Sequence, residues 1–185
     1  MNSKYKFGIT EVVAMIIGSL LIVMLDLFFR NNNLFHADTI KSALVVVFAA
    51  FFGSPAGVVT AIASSLLLAA ILKLDVSITA VIAYVLIALL VGHYSQEFGI
   101  RDGLFKGKKI WIFAVAKLAA EIFAWMFFWP LVNFILTRGI LYDVLGQKVK
   151  TVLMLTALDA IIIPVFILIS YLISKRNDKY GLQQL

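Results

Sequence analysis

Five side chains able to do chemistry recur every fourth residue in one apolar run: Lys117, Glu121, Trp125, Trp129 and Asn133. On an α-helix that spacing puts them on one slowly drifting face. Measured from the inner end of the helix, they stand at depths of about 10, 16, 22, 28 and 34 Å. Asp159, eight residues into a later apolar run, and Tyr84, seven residues into an earlier one, reach levels close to that of Trp125. Two carboxylates, two indoles and a phenol describe a pocket for a small flat molecule with a cationic or amino-bearing ring, because indole faces stack on such rings and attract positive charge. The expected ligand-binding residues are therefore Tyr84, Glu121, Trp125, Trp129, Asn133 and Asp159.

Each of these residues also has a structural reading. Lys117 and Glu121, four residues apart, can neutralise each other. Trp129, like Trp111, fits an aromatic belt at a membrane interface. Asp159 can bond to neighbouring backbone close to the Pro164 break. Glu11 and Asp26, near the ends of the first helix, and His93 beside Tyr94 at the end of the fourth read as interfacial groups in contact with water.

The elements that hold these residues are membrane-spanning. Of 185 residues, 63% are hydrophobic and only 14% charged, with a mean hydropathy of +1.03. A soluble domain carries nearer one quarter charged residues. The apolar runs cover 7–29, from the Asp38-Thr39 cap to Phe52, 57–72, 77–94, 110–136 and 151–174. Each is read as a transmembrane helix. The expected fold is an all-α, polytopic bundle of six transmembrane helices forming a single domain over 1–185. Between the second and third runs, Phe52-Gly53-Ser54-Pro55-Ala56-Gly57 is a tight break.

Six spans place both termini on one side. With the termini inside, nine Lys and Arg side chains face inward (Lys4, Lys6, Arg101, Lys106, Lys108, Lys109, Lys175, Arg176 and Lys179). Six lie in the outer connections: Arg30, Lys41, Lys73, Arg138, Lys148 and Lys150. The bias puts both termini in the cytoplasm of a multi-pass cell-membrane protein. The net charge of +6 sits at helix ends and makes no aromatic–basic stripe, so membrane lipid is the expected neighbour and nucleic acid is not.

Several functions are excluded by what is missing. With no cysteine there is no disulfide and no thiolate chemistry. No Gly-rich Lys-Ser/Thr loop is present to hold nucleotide phosphates. His36 and His93 lie far apart and no G-x-S-x-G occurs, so neither a metal site nor a serine nucleophile is expected. The chain is read as a non-enzyme without cofactor.

Six short spans, the Phe52-Gly53-Ser54-Pro55-Ala56-Gly57 turn, and Ala14 and Gly18 one helical turn apart in the first helix resemble the substrate-binding S components of energy-coupling factor (ECF) vitamin transporters. The segment Gly107-Lys108-Lys109-Ile110-Trp111-Ile112-Phe113 leading to Ala124-Trp125 looks like one branch of that superfamily. The resemblance implies capture of a vitamin or precursor in the outer half of the bundle. It also implies docking through Ala14 and Gly18 on a transmembrane coupling protein (EcfT) driven by two ATPase subunits, which is consistent with a chain that has no nucleotide motif. Within it, the expected ligand is a hydroxymethylpyrimidine-, thiamine- or pyridoxine-like ring, with the connection from Arg30 to Asp38 as the gate. The alternative is a membrane scaffold in which the polar stripe joins helix to helix and there is no ligand.

Overall fold

The computed structural model describes residues 9–32, 37–73, 77–98 and 108–137, with 149, 152–154 and 157–158. Every described element is helical: α1 (Ile9–Asn32), α2 (Ala37–Phe52), α3 (Ser54–Leu72), α4 (Ile78–Glu97), α5 (Lys108–Ile122), a π-helical segment (Phe123–Phe128) and α6 (Trp129–Thr137). The last three form one rod. Among the described residues, three stretches are long and apolar enough to cross a membrane: Ser54–Ile71, Ile78–Glu97 and Trp111–Leu136. In hydrocarbon every backbone N–H and C=O must be satisfied within the protein, and a helix does this within a single segment. Large apolar side chains stay exposed along α1 (Ile16, Ile17, Leu20, Met24) and along the rod (Val115, Phe127, Leu131, Ile135), a surface suited to lipid rather than water.

α4 is the hub: it packs on α2, on α3 and on the α5–α6 rod, while α1 covers α2 and α3. Its buried face runs through Ala80, Ala83, Tyr84, Ile87, Ala88, Val91, Gly92 and Ser95, mostly small residues that let backbones approach closely. Gly92 is the tightest point, since a Cβ there would strike the backbone of Ser54. A Cβ on Gly57 would come within 2.5 Å of Ala49 Cβ. Hydroxyls pin the same end of the bundle, with Ser54 Oγ donating to the Leu89 carbonyl at 3.2 Å and Ser95 Oγ donating to the Ala50 carbonyl.

The expected break between α2 and α3 is a single residue. Gly53, at φ 90° and ψ 169°, turns the chain in an extended, positive-φ conformation that is essentially confined to glycine and costs another residue about 1–3 kcal/mol. Pro55 falls in the first turn of α3, where its missing N–H has no partner to lose. α3 therefore starts at Ser54 rather than near 57. α1 continues to Asn32, three residues past the end of its apolar run, because polar residues at a membrane surface do not stop a helix. α2 begins at Ala37, so Asp38 and Thr39 lie inside its first turn rather than ahead of it. The sixth apolar run, 151–174, lies almost wholly outside the described residues.

Two charged residues depart from their expected places. Asp26, expected at a wet interface, is 1% exposed, on a helix that packs against α2 and α3. Lys41, expected in an outer connection, is 4% exposed within α2.

The clamp at Gly92 is testable by size alone. Gly92→Ala should destabilise the purified protein by about 1–3 kcal/mol through overpacking, seen as a lowered melting temperature. Val115→Ala, on the exposed face of the rod, should leave it nearly unchanged. Equal melting of the two variants would contradict the packing described.

Candidate functional site

The every-fourth-residue stripe stays buried along the rod: Lys117 and Glu121 are each 1% exposed, Trp125 0% and Trp129 8%, and Asn133 is partly buried. In a plain α-helix four residues overshoot a full turn by about 40°, so such a stripe walks off the contact face. The π-helical segment prevents this. Its wider turn, closed by Trp129 N–H donating to the Ala124 carbonyl five residues back, advances less per residue, so the drift is halted where Trp125 and Trp129 must both face inward. Pro130 accounts for the position of this segment: it supplies no N–H and its ring would strike the carbonyl four residues earlier, a conflict that a local π turn relieves in membrane helices.

Trp125 and Tyr84 meet edge to face, ring centroids 5.3 Å apart at 76°, an arrangement worth about 0.5–1.5 kcal/mol beyond burial. The Trp125 indole N–H points at Ser42 Oγ across 3.5 Å. Lys41, next in sequence to Ser42, lays its ammonium 4.8 Å from the Tyr84 ring centroid and donates to Ser65 Oγ. Ser65 in turn donates to the Ala61 carbonyl at 2.7 Å. The cluster joins α2, α3, α4 and the π segment near the end of the bundle that carries the α1–α2 and α3–α4 connections.

Of the residues expected to form the site, the structure thus brings Tyr84 and Trp125 into contact and sets Trp129 and Asn133 one and two turns further along the same rod. Glu121 is held differently: its Oε2 lies 3.1 Å from Lys117 Nζ in a buried ion pair. Asp159 lies outside the described residues. Gly18 is buried, with the Phe48 ring 2.7 Å from where its Cβ would be, so this position faces α2. The Ala14 side chain is not among those described. His93 and Trp111 are exposed.

Lys41, Ser42 and Ser65 were missed in the sequence. The signal was available: Lys41 sits four residues into α2 with Ile40 before it and an apolar run from Ala43 after it. Counting it with the loop lysines concealed it. Ser65 also lines a groove of about 280 Å³ between α3 and α4, whose other walls are Ile62, Leu66, Ala69, Ile78, Val81 and Ile82. Among the described residues no cluster of three or more His, Asp or Glu side chains is placed to hold a metal ion.

No family model, curated protein or solved structure matches the chain.

The Lys117–Glu121 pair gives a sharp expectation. Glu121→Ala strands a buried ammonium and should cost about 3–5 kcal/mol of stability, while the double change with Lys117→Ala should recover much of that loss. A double variant as unstable as the sum of the two singles would show that the groups do not act as a pair.

Proposed function

We propose that the protein is the substrate-capture subunit of an ECF-type importer, binding a small heteroaromatic vitamin or vitamin precursor of the hydroxymethylpyrimidine, thiamine or pyridoxine kind. The observation that supports this reading is the convergence of Tyr84 and Trp125 with buried polar side chains near one end of a membrane bundle. Intramembrane polar groups are costly, and those that persist mark ligand or ion paths by default. Trp125, Trp129 and Tyr84 supply ring faces and edges, Asn133 a side chain that both donates and accepts, and Glu121 with Asp159 the carboxylates. The chain is not an enzyme in this reading. Energy comes from a transmembrane coupling protein and two ATPases.

The same reading makes the chain a six-span protein of the cell membrane with both termini in the cytoplasm and the aromatic cluster in the outer half. Lys41 leaves the tally of outer loop charges, which widens the inward bias. A membrane scaffold without ligand is the second reading, and the closed Lys117–Glu121 pair is what favours it, since a carboxylate paired along its own helix serves folding alone.

A thermal-shift screen against water-soluble vitamins separates the two, because a ligand that binds only the folded state raises its melting temperature. Capture predicts a shift with one ring compound, and a dissociation constant that rises roughly five- to 150-fold in Trp129→Leu, the cost of one stacking partner. No shift with any of them leaves the scaffold.

Orientation is checked independently of any ligand. Single cysteines at Ser3, Gln96 and Gln183 should resist an impermeant thiol reagent in intact cells, and cysteines at Asn32 and Gln147 should react. The opposite pattern inverts the topology.

A further inference from the structure

The groove between α3 and α4, about 280 Å³, is lined by none of the aromatic residues of the cluster. Its α3 wall is Ile62, Ser65, Leu66 and Ala69, and its α4 wall is Ile78, Val81 and Ile82. Each set has the three- and four-residue spacing of one helix face. Ile62, Leu66 and Ile78 are exposed, so the groove is open along the surface of two apolar spans, Ser54–Ile71 and Ile78–Glu97. Its one polar wall group, the Ser65 hydroxyl, already donates to the Ala61 carbonyl and accepts from Lys41. A pocket for a polar small molecule orients it with a few convergent polar groups. This groove offers aliphatic carbon instead.

The α3 face continues to Lys73, four residues past Ala69 and about 6 Å further along the axis. Lys73 is exposed and caps α3 at φ 50°, ψ 30°, the left-handed conformation in which helices ordinarily place glycine or asparagine. Among the described residues it is the one non-glycine residue at positive φ. The chain thus carries a cation at the end of the groove, at a position where the backbone favours no side chain at all.

We propose that the groove and Lys73 together form a site for one anionic phospholipid, with an acyl chain between α3 and α4 and its phosphate group at the Lys73 ammonium. The site is separate from the substrate-capture reading and does not depend on it. An aliphatic chain matches walls whose single hydroxyl is already engaged. An extended protein segment would bring backbone N–H and C=O groups that these walls cannot satisfy. Two helices packed about 8–10 Å apart leave a furrow into which a third helix, about 10–12 Å across, cannot sink. Charge then selects among lipids, because a lysine at the membrane surface attracts an anionic headgroup, while a zwitterionic one brings no net charge.

The test is native mass spectrometry of the full chain released from nanodiscs that hold equal amounts of phosphatidylglycerol and phosphatidylcholine with the same acyl chains. One lipid should stay bound, with phosphatidylglycerol favoured roughly fivefold, the scale of one lysine at a charged membrane surface. Lys73→Gly suits the backbone at this cap, so it should keep or raise the melting temperature and lose the headgroup preference. Leu66→Trp, at an exposed position in the groove, should cut retention of both lipids, whereas Leu131→Trp on the exposed face of the rod should not. The headgroup comparison is made on the unaltered protein, so it stands even where Leu66→Trp fails to fold. Retention of no lipid, a preference that survives Lys73→Gly, or equal retention in Leu66→Trp and Leu131→Trp overturns the proposal. A dimer that Leu66→Trp dissolves overturns it too and assigns the groove to a second copy.

Discussion

The contact on which the rest of the molecule depends is the approach of α4 to the α2–α3 turn, where Gly92 leaves no room for even a methyl group beside Ser54. In lipid, helices gain little from hiding apolar surface from one another, so association rests on close van der Waals fit and interhelical hydrogen bonds. The turn at Gly53, the seam at Gly57 and the hydroxyls of Ser54 and Ser95 all act within this one end. Because α2, α3 and α4 are fixed in register there, their other ends are fixed as well. Lys41, Ser65 and Tyr84 meet about two to three turns of helix away, counted along α2, α3 and α4, with no loop to hold them. The cluster is therefore rigid by construction, a property that a stacking site needs and that a loop-built site lacks.

How much of this was legible in the sequence varies with the length of chain each inference spans. Membrane character followed from composition alone. The α2–α3 turn was legible because two glycines and a proline in six residues are local signals with local causes. The end of α1 was misplaced by three residues, since hydropathy marks where lipid stops and not where the helix stops. Gly92 carried no warning at all: one glycine inside an apolar helix shows its purpose only when the partner backbone is known.

The aromatic stripe was read from helical spacing, and it remains buried along its length for a reason the spacing did not contain. A straight α-helix would have turned Trp129 away from the face that buries Lys117. The π segment supplies the missing rotation, and its sequence signal was Pro130, a residue that in a soluble helix would suggest a kink or an end. Lys41 illustrates the opposite failure. A lysine near the start of a span is ordinarily a topology marker, and its burial is set by Ser65 on α3 and Tyr84 on α4, residues 24 and 43 positions away that no local pattern connects to it.

The two buried lysines show how differently one charge can be used. Lys117 is answered from its own helix, one turn along, so its pairing with Glu121 survives any small shift of α5 against α4. Such a pair is insensitive to what enters the bundle. Lys41 is held by groups on two other helices, so its surroundings depend on the α2–α3–α4 register and change if any of the three moves. A cation held over an aromatic face gains up to about 2 kcal/mol when desolvated, less than the several kcal/mol that burial of an ion costs. The register of the three helices around Lys41 is set at the Gly92 end, so the packing there and the surroundings of this ammonium are coupled.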